Sequence, residues 1–374
     1  MYKHTHRPSW VEINLNNLDY NIKQIKQKIG DKQIIGVIKA DAYGHGAVMC
    51  ANVLKENGVK MFAVATLDEA IHLRQNNIQE EIIILGLTPS LYKEEIVKYD
   101  ITPVVCDSSN AIEFNEEARK QNKNINVIIT LDTGMGRIGY HADDIEESIE
   151  DIKKYSNLSN LHIQGLLSHF STADEKDKTY SSLQYQKYLK FYSALKENGI
   201  NIEMATLANS ASIMEISNAY FDAVRPGIIL YGYYPSNEVD KTQLDIKPVM
   251  SVKANIVFLK ELDPESYVGY GRKYESHQKV KIATVNIGYA DGLPRSYGPY
   301  GKVIVNGKIC PIAGNICMDQ FMIDVTDVDD VKVNDEVIIM NEQIDANYIA
   351  KLTNTINYEI TCKFGLRLPK VYIK

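Results

Sequence analysis

Cysteine is scarce, positive charge is not in excess and no long apolar run occurs; each shortage removes a class of protein. Five cysteines, Cys50, Cys106, Cys310, Cys317 and Cys362, are scattered through 374 residues. Their odd number and lack of ligand-like spacing argue against a closed disulfide framework and read as reduced thiols. A net charge of −7, with no polybasic stripe, lacks the footprint of a nucleic-acid binder. No apolar stretch approaches the roughly 20 residues of a membrane span. The opening MYKHTHRPSW has no charged segment feeding an apolar core, as a secretory leader would. Neither His4 and His6 nor the Tyr43-Gly44-His45-Gly46 stretch falls at metal-ligand spacing, so no metal is expected. Solenoid repeats and low-complexity segments are also missing. What remains reads as a cytoplasmic globular chain, 45% hydrophobic and 24% charged, large enough for two cores and suited to a small polar substrate.

What is present is a succession of short Ile- and Val-rich runs: IIGVIKA at 34, MFAVAT at 61, EIIILG at 81, ITPVVC at 101, NVIITL at 126, IQGLLSH at 163, IEMATLA at 202 and GIILYG at 227. They alternate with helix-like segments such as LDEAIHLRQN and SNAIEFNEEARKQ. Eight βα units point to a closed (β/α)8 barrel over residues 1–240; a doubly wound sheet is the competitor, disfavoured by the count. After the polar connection YYPSNEVDKTQLDIKP the texture changes. VIVNGKIC carries Asn306-Gly307 at a predicted type I′ turn, and residues 241–374 read as a mostly β domain with a helix near IDANYIAKLTN. The early strand WVEINL, over 10–15, can join either domain.

A barrel gathers function at the carboxyl ends of its strands, where the sequence sets Lys39, Arg137, His169, Asn209-Ser210 and Arg225-Pro226-Gly227. Lys39 ends an apolar run, and desolvating its ammonium is costly unless it is paired or gives up its charge. A desolvated amine is an imine-forming nucleophile; the bland alternative is a lysine that snorkels to water. Asn209-Ser210 follows the seventh run and Gly227 opens the eighth, and loops after barrel strands seven and eight frequently bind phosphate. Ser210 could equally be only the N-cap of the helix ASIMEI. An imine-forming lysine in a barrel with a phosphate cup points to pyridoxal 5′-phosphate. Leu131-Asp132-Thr133-Gly134 spells the D-T-G of aspartic proteases, but a single copy after a parallel strand does not make the paired carboxylates that chemistry needs.

With Lys39 in VIKADAYGHG, Arg137 in LDTGMGRIG, His169 in LLSHFSTADE, then ANSAS, VRPGIILYG, VGYGRKY, IGYADG and CMDQ in that order, nearly the whole chain resembles the alanine racemases. The resemblance implies a (β/α)8 barrel followed by a β domain. It makes Lys39 the lysine that holds pyridoxal phosphate and serves one face of the substrate, and Tyr270 the base for the other. It implies phosphate contacts from Tyr43, Ser210, Gly227 and Ile228, with Asn209 beside them, and Arg225 aimed at the coenzyme's ring nitrogen. His169 is expected to contact Tyr270 and Arg225. Arg137 falls near the phenolic oxygen and the substrate carboxylate, Tyr289 and Met318 line the side-chain pocket, and Asp319 supports them. A head-to-tail homodimer is implied, each β domain lending Tyr270, Tyr289 and Met318 to the partner's barrel, and a role in supplying D-alanine for peptidoglycan. Two bases suit the chemistry, since enantiomers have equal free energy and the proton must leave one face and return on the other. A tyrosine base, with an ordinary pKa of roughly 10, needs help from a nearby cation or histidine.

Three positions depart from the family. Thr130 stands where many members carry a lysine that secures the arginine, so Arg137 must be held otherwise. Thr206 replaces a histidine, and Leu366 replaces a tyrosine that touches the phosphate, which predicts weaker coenzyme retention and some tolerance of serine. The alternatives are thus a broader, serine-tolerant racemase, a non-catalytic pyridoxal-phosphate-binding protein, and a related decarboxylase, whose carboxyl-terminal motifs are missing.

Overall fold

The computed structural model describes residues 6–365 and 367–374. Two compact units emerge: residues 19–42 with 47–246, and residues 1–18, 43–46 and 247–374. The first strand, β1 (Ser9–Asn14), which contains most of WVEINL, clusters with the second of these units.

The first unit is built on β2 (Gln33–Val37), β3 (Met61–Val64), β4 (Glu81–Leu87), β5 (Thr102–Val105), β6 (Ile125–Asp132), its short companion β7 (Tyr140–His141), β8 (Leu161–Leu167), β9 (Met204–Thr206) and β10 (Ala223–Val224). Every pairing from β10 through β2 to β9 is parallel. The ring closes through the Asp222 N–H donating to Ala205 O (3.1 Å) and the Arg225 N–H to Ala208 O (2.9 Å). Strands covered on both faces must be apolar throughout, and β3 and β5 are buried at every residue. Each fully buried Val, Ile or Leu contributes about 1.5–3 kcal/mol. The helices start where the sequence stops them fraying: Thr66 and Glu69 form a reciprocal cap on Leu67–Gln75, and Asp107 caps Ser108–Lys120.

One expected strand is not a strand. GIILYG at 227 forms a 3₁₀ helix over Ile228–Tyr231, and the eighth barrel strand is Ala223–Val224 just before it. Pro226 has no N–H to donate to a ladder, while all four residues of the 3₁₀ turn are buried, so the apolar run reflects burial rather than extension. Gly227 therefore follows the eighth strand instead of opening it.

In the second unit β11 (Met250–Leu262) runs through the middle of a mostly antiparallel sheet. After β12 (Tyr267–Val268) and β13 (Tyr274–Glu275) come β14 (Val280–Val285), β15 (Lys302–Val305), β16 (Lys308–Pro311), β17 (Phe321–Asp324), β18 (Glu336–Met340) and β19 (Lys370–Ile373). The order is β16-β15-β18-β11-β1-β19, with β14 and β17 branching from β11. Asn306 and Gly307 join β15 to β16 with φ of 48° and 78°, as a type I′ turn requires. A helix covers Ala346–Thr353. No helix among the described residues is long and apolar enough to cross a membrane.

Candidate active site

Three residues past the end of β2, the chain does something no periodicity reveals. Ala40, Asp41, Ala42 and Tyr43 all have φ between 51° and 55°, a left-handed helical turn without a glycine in it. Each such residue costs roughly 1–2 kcal/mol, and runs of them persist only where surrounding bonds over-determine the backbone. Here the Ala40 N–H donates to Glu69 Oε1 (2.6 Å), the Ala42 N–H to Ile38 O (2.9 Å) and the Ala47 N–H to Asp41 Oδ1 (2.7 Å). Glu69 also accepts from Ala65 N (2.7 Å), which locks the turn to the next strand-helix junction. Lys39 is thereby presented, half-buried, at the barrel's carboxyl end.

Arg225 meets His169, and Arg137 and Lys39 lie close enough for their charges to act on it. His169 Nδ1 lies 3.4 Å from Arg225 Nη2. Burial, then the charges of Arg225, Arg137 and Lys39, lower the His169 pKa to about 3, so its imidazole is neutral at neutral pH. Arg225 is 3% exposed, and among the described residues its acceptors are all neutral: Thr206 Oγ1 (2.7 Å), Ser168 O (2.5 Å) and Leu207 O (3.2 Å). Burial lowers its pKa to about 10, which leaves the guanidinium charged at neutral pH.

Thr206 is thus a working replacement. Its hydroxyl accepts from Arg225 and donates to Ala223 O (2.8 Å), so one small side chain ties the arginine to β10. Thr206→Val keeps the shape and removes both bonds. A hydrogen bond to a charged group contributes about 1.5–3 kcal/mol, and we expect a loss of that size in denaturant unfolding, largely restored in Thr206→Ser. An unchanged unfolding midpoint in the valine variant would show that Arg225 does not depend on this hydroxyl.

Arg137 is held through its backbone. Asp132 Oδ1 accepts from Gly134 N (2.8 Å) and Gly136 N (3.1 Å). Burial raises the Asp132 pKa, but the amides of Gly134, Gly136, Met135 and Arg137 outweigh it and hold the carboxylate below its ordinary value. The aspartate of the D-T-G string is the hub of the arginine's loop, a role its local sequence disguised as protease chemistry. Thr130, at the end of β6, is 2% exposed.

The second cluster follows β9 and β10. Asn209, not Ser210, caps the helix Ser210–Glu215, accepting from Ser212 N at 3.1 Å. This corrects the N-cap expectation: only the residue before the first helical one has a side chain that can fold back onto that helix's amides. Ser210 Oγ instead accepts from Gly227 N (2.9 Å), which joins the two expected phosphate contacts, with Ile228 next in chain.

In the other unit, Tyr43 is 8% exposed, its ring 6.0 Å from that of Tyr358. Burial, with the nearby Cys362, raises its pKa above the usual phenol value, so it is a neutral donor. Tyr270, Tyr289 and Met318 are 72%, 41% and 53% exposed. Tyr270 sits between Gly269 and Gly271, both at φ 72°, and its carbonyl accepts from Asn315 Nδ2 (2.8 Å). The Tyr289 N–H donates to Cys317 O (3.1 Å) and the Ala290 N–H to Met318 O (3.0 Å), so Tyr289 and Met318 ride on one pair of bonded loops. Sequence reading missed what secures them. Buried Asp291 takes Gly288 N (2.9 Å) and Arg7 (2.6 Å), and Arg367 reaches Asp319 (2.7 Å). The expectation for Leu366 lies outside the described residues.

Residues 13–235 match the family model "Alanine racemase, N-terminal domain" and residues 249–372 match "Alanine racemase, C-terminal domain". The chain is 54% identical over 373 residues to an alanine racemase of Clostridium kluyveri, covering 99% of this chain and 95% of that protein. Among solved structures it is similar to an alanine racemase of Clostridium difficile, with a TM-score of 0.95, 41% identity and coverage of 99% and 96%. It is also similar to the alanine racemase of Bacillus anthracis solved with bound L-Ala-P, with a TM-score of 0.93, 33% identity and coverage of 99% and 96%. Motif order, barrel, β domain and full-length identity agree: the chain belongs to the alanine racemase family.

Proposed function

We infer that the protein interconverts L-alanine and D-alanine as a pyridoxal 5′-phosphate-dependent racemase, on one main observation: Arg225 contacts a neutral His169 at the barrel's carboxyl end, within reach of the charges of Arg137 and Lys39. A cluster of cations without a carboxylate on Arg225 fits an anionic coenzyme and a substrate carboxylate. Lys39 would hold the coenzyme's aldehyde; Ser210, Gly227, Ile228 and Tyr43 would hold its phosphate, with Asn209 fixing the loop. When bound, the coenzyme supplies the electron sink that makes the substrate's Cα proton removable. Arg225 would donate to the ring nitrogen without surrendering its proton, which disfavours side reactions such as transamination. Arg137 would orient the substrate carboxylate.

Lys39 Nζ would take or return the proton on one face and Tyr270 Oη on the other. His169, neutral, is able to accept a hydrogen bond and so to orient a phenol. Tyr289 and Met318 would bound the methyl pocket, with Asp319 behind them. The exposure of Tyr270, Tyr289 and Met318 supports a head-to-tail homodimer in which each β domain completes the partner's barrel. In this reading residues 1–240 bind the coenzyme and residues 241–374 complete the site. Cys106, Cys310 and Cys317 form no disulfide among the described residues, which suits a reducing cytoplasm, and D-alanine would serve peptidoglycan synthesis.

Initial rates of enantiomer formation by the purified protein with added pyridoxal phosphate, on L-alanine and L-serine side by side, test the reading. Fast alanine turnover approaching an equimolar mixture is expected, with serine slower. No turnover of alanine by coenzyme-loaded protein would overturn it.

A further inference from the structure

The two loops that carry Arg137 and His169 are separate in sequence, yet both rest on one helix, Thr179–Glu197. Residues 180, 184, 187 and 188 fall on one face of it. Tyr180 Oη donates to Gly134 O (2.9 Å) and Lys187 Nζ pairs with Asp143 (2.6 Å), both on the Arg137 side. Ser181 Oγ lies 3.2 Å from Thr172 Oγ1, on the His169 side. Gln184, fully buried, meets both.

A glutamine amide offers two acceptor sites and two donors, and this one uses all four. Oε1 accepts from Ser171 N (3.0 Å) and Ser171 Oγ (3.1 Å); Nε2 donates to His169 O (3.1 Å) and to Thr133 Oγ1 (3.2 Å). Thr133 Oγ1 is in turn 3.0 Å from Ser168 Oγ, and Ser168 O takes the Arg225 guanidinium. Thr133 begins the loop that Asp132 winds toward Arg137. One buried side chain is therefore bonded directly to both loops and stands one residue away from the acceptor of Arg225.

We propose that Gln184 is a positioning residue for the racemase, fixing Arg137 and His169 relative to each other by bridging Thr133 to His169 and Ser171. The catalytic consequence rests on the function proposed above; the bridging does not. A buried amide whose only task were to satisfy the backbone of one loop would not need Thr133. Shifts of about an ångström in the groups that orient a substrate can cost up to about a hundredfold in rate, and a loosened bridge acts on two such groups together.

The test uses coenzyme-loaded protein and two readouts. In Gln184→Met, which keeps the length and loses all four bonds, hydrogen exchange should quicken together at amides 133–137 and 168–171, while in Tyr180→Phe it should quicken only in the first segment. kcat/KM for L-alanine should fall about tenfold or more in Gln184→Met. Thr133→Val should fall too, Thr133→Ser should not, and the losses in the Gln184→Met/Thr133→Val double variant should be clearly less than additive, because the two changes share the Gln184–Thr133 bond. If Gln184→Met does not fold, the Thr133 pair carries the test alone. Faster exchange confined to Ser171 with kcat/KM unchanged, or additive losses in the double variant, would overturn the proposal. Parent turnover of alanine is measured first: without it the functional reading fails, and exchange alone decides whether Gln184 joins the two loops.

Discussion

Lys39→Ala is expected to lose racemisation by at least about four orders of magnitude while the barrel stays folded, because in the proposed mechanism one side chain would serve as both coenzyme anchor and proton base. The fold survives because the bonds that enforce the left-handed turn come from Glu69, Asp41 and the Ile38 carbonyl, none of which the substitution touches. A second readout is independent of turnover. His169 is held at a pKa of about 3 by burial first and then by Arg225, Arg137 and, least, Lys39. Removing the lysine's charge should raise that pKa modestly, visible in an NMR titration of the imidazole. Racemisation retained by the alanine variant, together with an unmoved His169, would remove Lys39 from the site altogether.

The barrel was legible because parallel strands buried on both faces are apolar throughout, and seven of the eight runs mark strands. The eighth failed for the same reason: Ile228-Ile229-Leu230-Tyr231 is as buried as any strand, and an apolar run reports burial, not extension. Asn306-Gly307 was readable because a type I′ turn demands positive φ at both central residues. The turn after Lys39 was not, since Ala-Asp-Ala-Tyr carries no glycine and its conformation is imposed from outside by Glu69. Asp132 was rightly set aside as a protease aspartate, but its D-T-G string gave no sign that it is the hub of a loop. Gln184 gave no signal at all, for one of two glutamines in YSSLQYQKYLKF becomes distinctive only once two distant loops land on it. Thr206 could be flagged as a departure from the family, yet its paired bonds to Arg225 and Ala223 needed coordinates.

Heterodimers made by co-expressing Lys39→Ala and Tyr270→Phe chains, and isolated through two different tags, should recover about half the activity of the parent dimer, although each variant alone is inactive. Tyr270→Phe by itself should keep coenzyme and lose roughly 10²–10⁴ in kcat, the usual contribution of a positioned general base. In a head-to-tail dimer whose β domains reach into the partner's barrel, the mixed pair contains one site with both lesions and one with neither. The intact site joins the Lys39 barrel of the Tyr270→Phe chain to the Tyr270 of the Lys39→Ala chain. Such a tyrosine must be presented outward, and Tyr270 is 72% exposed on a loop held by Asn315 between two glycines of positive φ. If each site instead drew both residues from one chain, every site in the mixed dimer would carry a lesion. Heterodimers as inactive as the two single variants would therefore exclude the shared site, whatever the oligomeric state in solution.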